Sequence, residues 1–207
     1  AGLSDVSVTY VGDWHDHPRF IEANARHARA ALDRLPPPLR SATRLVFTAH
    51  SIPLAMSQTS NYVLQLREAC RLVCEALSIA HSELAYQSRS GPTEQPWLEP
   101  DILDVLRRVH AEGQTRDVVV VPIGFISDHM EVLFDLDEEA RQTGQTLGIQ
   151  LVRAKTVGTH PRFVRMICEL LEERLSEQPV RLSLGSFGPS HDVCPDDCCL
   201  YQPARPP

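Results

Sequence analysis

Short apolar runs and longer amphipathic segments alternate along the chain from Arg44 onward. Arg44–His50 (RLVFTAH), Glu83–Gln87, Asp117–Phe125 and Ile149–Ala154 are brief and apolar, and turn residues or charged positions bound them, so each is predicted as a strand. The segments between them recur at helical spacing. Gln58–Ile79 sets Tyr62, Leu66, Ala69, Val73 and Leu77 along one face, and Asp101–Glu112 turns Ile102, Val105, Leu106 and Val109 inward. Met130–Gly144 and Pro161–Ser176 are the remaining predicted helices of this set. Strand and helix thus alternate four times, which predicts an α/β fold: an open, mainly parallel sheet of about four strands with helices on both faces. Val118–Val121 is an unbroken valine run, the pattern of a central strand buried on both sides.

The flanks are less regular. Asp5–Val11 alternates and predicts a short strand, and Arg19–Leu35 predicts a helix ended by Pro36-Pro37-Pro38. Ser88–Pro100 is a loop holding Gly91, Pro92, Pro96 and Pro100. After Pro179 the composition turns to Gly, Pro and Cys, and the expectation there is loop or disorder.

Composition narrows the function. A net charge of -7 without a basic stripe excludes a nucleic-acid partner, since phosphates need clustered cations. No apolar run reaches the roughly 20 residues that a bilayer-spanning helix needs, so no transmembrane segment is expected. No secretory signal is visible, and a cytoplasmic protein is expected. Cys70, Cys74 and Cys168 sit singly in predicted helices and read as small buried thiols, while Cys194, Cys198 and Cys199 crowd the end of the chain.

Two strand ends carry candidate chemistry. The first is Thr48-Ala49-His50-Ser51-Ile52-Pro53; the second is Val118–Glu139, where a buried strand breaks at Pro122 and Gly124, turns at Ser127-Asp128, and resumes as a helix with Glu131, Asp135 and Glu139 at steps of four. Ordinary structural readings exist for both. His50 is explained as a hydrogen-bonded turn histidine, and Asp128-x-x-Glu131 as a capping box. The row of carboxylates has a feature that capping does not require. In a regular α-helix its members drift by about 40° per step, so they share one face and offer oxygens to a hydrated divalent cation. A neutral histidine opposite would serve as base or metal ligand. A π-turned helix would keep the carboxylates in a row as well. His15, His17, His160 and His191 read as surface or turn histidines.

Phe47–Pro53 (FTAHSIP) and Pro122–Ala140 (PIGFISDHMEVLFDLDEEA) resemble the two most distinctive motifs of the ferrochelatase family. Trp14–Ile21 (WHDHPRFI), Ser88–Pro92 (SRSGP) and Pro96–Pro100 (PWLEP) are similar to it too, so the likeness runs from Trp14 to about Leu175. The resemblance implies an enzyme that inserts Fe²⁺ into a porphyrin, coproporphyrin III or protoporphyrin IX, in heme synthesis with release of two protons. It implies a Rossmann-like chelatase fold in two similar halves, of which this chain would be the C-terminal one, with the N-terminal half as partner. On that basis residues 1–36 link from a preceding domain, 37–178 form the chelatase domain, and 179–207 are a Cys-rich tail. The matching positions imply His50 and Glu131 as catalytic residues. They imply His50, Glu131, Asp135 and Glu139 as the metal path, and Ser51, Trp97 and His129 as porphyrin contacts. Some members hold a [2Fe–2S] cluster on C-terminal cysteines, which would draw on Cys194, Cys198 and Cys199; the C-x₃-C-C spacing departs from that pattern, and a fourth thiolate would come from elsewhere. Two other readings stand beside this one: a cobalt or nickel chelatase acting on sirohydrochlorin, and a non-catalytic porphyrin- or metal-binding half-domain.

Overall fold

The structure, a computed structural model, describes residues 9–92, 94–191 and 193. Four parallel strands form one sheet: β1 (Arg44–His50), β2 (Ser82–Gln87), β3 (Asp117–Val121) and β4 (Gln150–Arg153), in spatial order β2-β1-β3-β4. Five helices pack on it: α1 (Pro18–Leu32), α2 (Tyr62–Leu77), α3 (Ile102–Glu112), α4 and α5 (Pro161–Leu175). Helix α4 runs without a break through Met130–Val132, a π-helical stretch Leu133–Ala140, and Arg141–Leu147.

The valine run explains the three layers. Every residue of β3 is buried. Val119 and Val121 join Leu45, Phe47, Ala49 and Val152 in a core closed by α1, α2 and α5. Val118 and Val120 point the other way and join Val46 and Ala85 under α3 and α4. Burying each such side chain contributes about 1.5–3 kcal/mol, so this strand anchors both cores. The predicted α/β class, the strand count and the placing of helices on both faces are those of the structure.

Several local readings change. The segment predicted as one helix from Gln58 to Ile79 is helical over α2, and Gln58 ends a separate five-residue helix, Leu54–Gln58. The strand ends at Val121 rather than Phe125, because Pro122 has no N–H to continue the ladder. Thr9, Tyr10 and Val11 are coil, and the rest of the predicted strand Asp5–Val11 lies outside the described residues. His17 is in a turn but not on the surface: it is 1 % exposed, its ring accepts from Arg19 N–H to cap α1, and burial pushes its pKa down. His160 caps α5 in the same way. Cys70 and Cys74 are buried as expected, but Cys168 is exposed.

The coil after α5 is docked rather than loose. Leu184 and Gly185 donate their N–H groups to the backbone carbonyl and Oδ2 of Asp16, each at 3.1 Å, and Ser186 donates to Glu68 Oε1 at 3.1 Å. Asp16 and Glu68 are both buried, so these carboxylates are committed to holding the strap.

Candidate functional site

The site follows from topology. Helix α2 leaves β1 toward one face of the sheet and α4 leaves β3 toward the other, and β1 and β3 are neighbours. Their carboxyl ends therefore open on a crevice at the switch point of the sheet, where ligands of open α/β folds bind.

His50, the last residue of β1, enters this crevice. Its Nδ1 lies 2.5 Å from Ser51 O, and since a carbonyl only accepts, Nδ1 carries the proton. Its Nε2 has Glu131 Oε2 at 3.9 Å. Tyr62 donates its hydroxyl to the His50 carbonyl at 2.9 Å, and burial raises the Tyr62 pKa to about 12. The phenol thus stays a donor at physiological pH and fixes the strand end.

On the other side, the chain after β3 is pressed against β1. Gly124 donates to Thr48 O at 3.0 Å, and a Cβ at Gly124 would lie 2.5 Å from the Ala49 Cβ. Only glycine permits this approach, which brings the start of α4 beside His50. The capping-box reading of Glu131 does not hold: the N-cap is His129, without a side-chain capping bond, and Asp128 instead pairs with Arg153 at 2.8 Å. Arg153 also holds Asp137 by two bonds of 2.7 Å, so one arginine from β4 sets both the entry and the middle of α4.

The π-helical stretch begins two residues after Glu131 and contains Asp135 and Glu139. Its wider turn rotates less per residue, which reduces the drift of residues four apart. Asp135 is gripped at Oδ2 by Gln87 Nε2 (3.2 Å) and by the Ser88 hydroxyl. Ser88 takes a left-handed backbone (φ 62°) that delivers this hydroxyl. Asp101 lies close enough to feel Asp135: burial raises its pKa, and Asp104 and Asp135 add to that. Glu139 is exposed farther along. Among the described residues no three histidine, cysteine or acidic side chains close into a metal cage.

Ser51 turns inward, its hydroxyl donating to Leu98 O at 2.9 Å. Ile52–Leu54 are laced to Pro96–Leu98, which ties the Trp97 loop to the His50 turn. The Trp97 ring lies on Gly91, and its buried Nε1 has no partner. His129 is exposed with its ring edge-on to Phe125 at 5.3 Å. Next to the site, Trp14, Phe20, Tyr62, Leu66, Ile123 and Ile126 line a mainly apolar hollow of about 300 Å³, with Asp13, His15 and Gln65 also on its wall. Tyr62, Gln87 and Ser88 were not read from sequence as site residues: Tyr62 was placed only on the inward face of a predicted helix, Gln87 at a predicted strand end and Ser88 at the start of a predicted loop. Cys194, Cys198 and Cys199 lie outside the described residues.

The structure is an open parallel α/β domain with an imidazole facing a carboxylate at its switch point and further carboxylates along the adjoining helix. The chain belongs to the ferrochelatase family, whose family model matches residues 2–175. It is 52% identical over 193 residues to a ferrochelatase of Rhodopirellula baltica, which covers 93% of this chain and 54% of that protein. It is 44% identical over 207 residues to a coproporphyrin III ferrochelatase of Nocardia farcinica (94% of this chain, 58% of that protein) and 43% identical over 195 residues to one of Frankia alni (89% and 50%). The chain spans about half the length of the curated relatives it matches.

Proposed function

We propose that this chain forms one wall of a metallation cleft, in which a full-length protein inserts Fe²⁺ into a porphyrin and releases two protons, as a step of heme synthesis. The observation that carries this reading is His50 Nε2 held 3.9 Å from Glu131 Oε2 in a family member. The porphyrin substrate is proposed to be coproporphyrin III, since that is what the names of the Nocardia and Frankia relatives state. The N-terminal half, which the relatives' greater length points to, would supply the facing wall.

Metallation requires that two pyrrole N–H protons leave while iron exchanges water for nitrogen. A base of moderate pKa within hydrogen-bond reach does the first. His50 is proposed as that base, its Nδ1 proton parked on Ser51 O so that Nε2 accepts. Glu131 stabilises the imidazolium that forms. Asp135 and Glu139 are proposed to pass hydrated Fe²⁺ toward the pair, because separate carboxylates hold a hard cation without stripping its water. Ser51, Trp97 and His129 are proposed to border the macrocycle, with the apolar hollow beside Tyr62 taking part of its edge. The chain is proposed to act in the cytoplasm. Free Cys70, Cys74 and Cys168 suit a reducing compartment, and no helix among the described residues is long and apolar enough to cross a membrane.

A [2Fe–2S] cluster needs four thiolates. The tail offers three cysteines, and burial pushes the Cys70 and Cys74 thiols up in pKa, away from ligation. Among the described residues Cys168 is the exposed free thiol.

The test is Fe²⁺ insertion by the full-length protein, with coproporphyrin III and protoporphyrin IX assayed side by side and sirohydrochlorin with Co²⁺ as a third arm. Turnover of coproporphyrin III supports the reading. Turnover of sirohydrochlorin alone would replace it with the cobalt or nickel chelatase, and binding without turnover on any arm would leave a non-catalytic module.

A further inference from the structure

The same four residues, His-Pro-Arg-Phe, open two helices: residues 17–20 at α1 and 160–163 at α5. In both, the histidine is the N-cap, and its Nδ1 accepts from the N–H of the arginine two residues on, at 3.2 Å for Arg19 and 3.1 Å for Arg162. In both, the proline opens the helix, where no N–H is needed. The two phenylalanines are buried and meet, with ring centroids 6.4 Å apart, and Trp14 stands edge-on to both at 5.1 and 5.9 Å. Arg19 pairs with Glu169 and Arg162 with Glu22, so each helix start is also held by the other helix.

A histidine cap differs from the common ones. Serine and asparagine keep their acceptor oxygen in mild acid, whereas a protonated imidazole has only donors and gives up the capping bond. His17 is 1 % exposed, sealed among Glu169, Arg19 and Asp16. His160 is only half-buried. Glu22, Arg26 and His27 face it from α1, the His27 ring edge-on at 5.0 Å, and Arg162 faces it from its own helix. Lys155 and Asp128 reach His27 from the neighbouring loops. Burial pushes the His160 pKa below its ordinary 6.5, Arg26 and Arg162 push the same way, and Glu22 opposes them. A histidine lowered in the folded state keeps its cap above 6.5 and loses it as pH falls through the lowered value.

What this cap holds extends to the hollow beside His50. The His160 N–H donates to the Val157 carbonyl at 2.8 Å, and the Gly158 N–H to the Ile126 carbonyl at 2.9 Å, so the turn before α5 buttresses Ile126. Phe163, on the first turn of α5, backs Trp14. Ile126 and Trp14 are both wall residues of the hollow.

We propose that His160 is a positioning residue for the porphyrin: as a neutral cap it sets the start of α5, and with it Phe163 behind Trp14 and the turn under Ile126, while the protonated ring releases that wall. The proposal rests on the reading that the hollow takes an edge of the macrocycle. It makes macrocycle binding acid-sensitive through a residue that touches neither the metal nor the reacting nitrogens.

Coproporphyrin III binding to the full-length protein, followed by fluorescence quenching between about pH 7.5 and 5.5, tests it. His50 and the carboxylates of the porphyrin titrate in every variant, so the difference between variants is what counts. His160→Asn supplies a cap that does not titrate; it is expected to match the parent at pH 7.5 and to lose about tenfold less affinity on acidification, the factor that one lost cap supplies. His160→Ala has no cap at any pH, and is expected to bind about tenfold more weakly at pH 7.5, with the shallow profile of His160→Asn. The Arg162 amide resonance is expected to titrate in the parent and not in His160→Asn. A purely structural His160 would lower stability in His160→Ala and leave one pH profile common to all three. Equal acid dependence in the parent and His160→Asn would overturn the proposal. If His160→Asn does not fold, Arg26→Gln takes its place. Removing a cation that opposes protonation is expected to move the midpoint up by a few tenths of a pH unit, and an unmoved midpoint overturns the proposal. Failure of the porphyrin reading looks different: no coproporphyrin III binding at any pH, with the Arg162 amide still titrating in the parent.

Discussion

His50 Nε2 and Glu131 Oε2 meet at 3.9 Å although the helices that follow β1 and β3 leave opposite faces of the sheet. Neither side chain is needed for the core, since the His50 side chain is 33% exposed and the Glu131 side chain 55%. Replacing His50 by Ala in the full-length protein is therefore expected to lower metallation by about 10²–10⁴-fold, the range for a general base, while thermal unfolding stays near that of the parent. Near-normal turnover in His50→Ala would remove His50 from the proposed chemistry.

Much of this site was legible in the sequence, and what was not has a common cause. The buried valine strand and the break at Pro122 are local patterns, and the structure has both; Glu131, Asp135 and Glu139 lie along one continuous helix, as their spacing suggests. The roles of Asp128 and His17 are not set locally. Asp128 sits three residues before Glu131 and looks like a cap, but Arg153, 25 residues on, takes its charge. His17 precedes a proline and reads as a surface or turn histidine; it does sit in a turn, but it is buried, with Glu169, brought close by α5, 3.6 Å from its ring. The grip of Gln87 on Asp135 depends on parallel register between β1 and β2, which no local spacing encodes. Width is likewise invisible: the pattern of α4 does not distinguish an α-turn from the π-turn observed.

Gly124 is a steric test of how the two strand ends are brought together. A methyl group there meets the Ala49 Cβ at 2.5 Å and Cα at 2.7 Å, and the second contact is backbone, which cannot swing away. Gly124→Ala is expected to cost about 1–3 kcal/mol, the usual price of overpacking, measured by chemical denaturation. It also pushes the loop off the strand that carries His50. Turnover of the full-length protein should fall by more than the loss of folded fraction explains. Unchanged stability would show that the approach is looser than described.

Arg153 is expected to govern the geometry of α4 without touching the reacting groups. Its side chain is 14% exposed, and it holds Asp137 through two nitrogens and Asp128 through a third. Arg153→Met keeps the stem and strands two carboxylates that are each more than a third exposed, so water recovers part of the loss. A destabilisation of about 1–2 kcal/mol is expected, less than for a fully buried pair. Hydrogen exchange in 128–140 should rise more than in β3. A uniform rise across the sheet would mean that Arg153 supports the fold as a whole rather than this helix.

The docked strap predicts an acid-sensitive step of its own. Glu68 is 8% exposed and its pKa is lowered to about 2, first by its hydrogen bonds to Arg71 and then by the N–H of Ser186, against the opposing effect of burial. A carboxylate whose folded pKa lies below its ordinary value of 4.5 contributes stability that is complete above that value and lost as pH falls toward 2. The strap should therefore hold at neutral pH and loosen between about pH 4.5 and 2. Exchange of the Gly185 and Ser186 amides reports this locally. Glu68→Gln removes the charge and should speed exchange at Ser186 already at pH 7, with a stability loss of about 1–2 kcal/mol and a flatter acid limb. The family match ends at residue 175, before the strap, so the proposed His50 chemistry is expected to survive that change. Protection of Ser186 in Glu68→Gln equal to the parent's would show that Asp16 alone is sufficient to dock the strap.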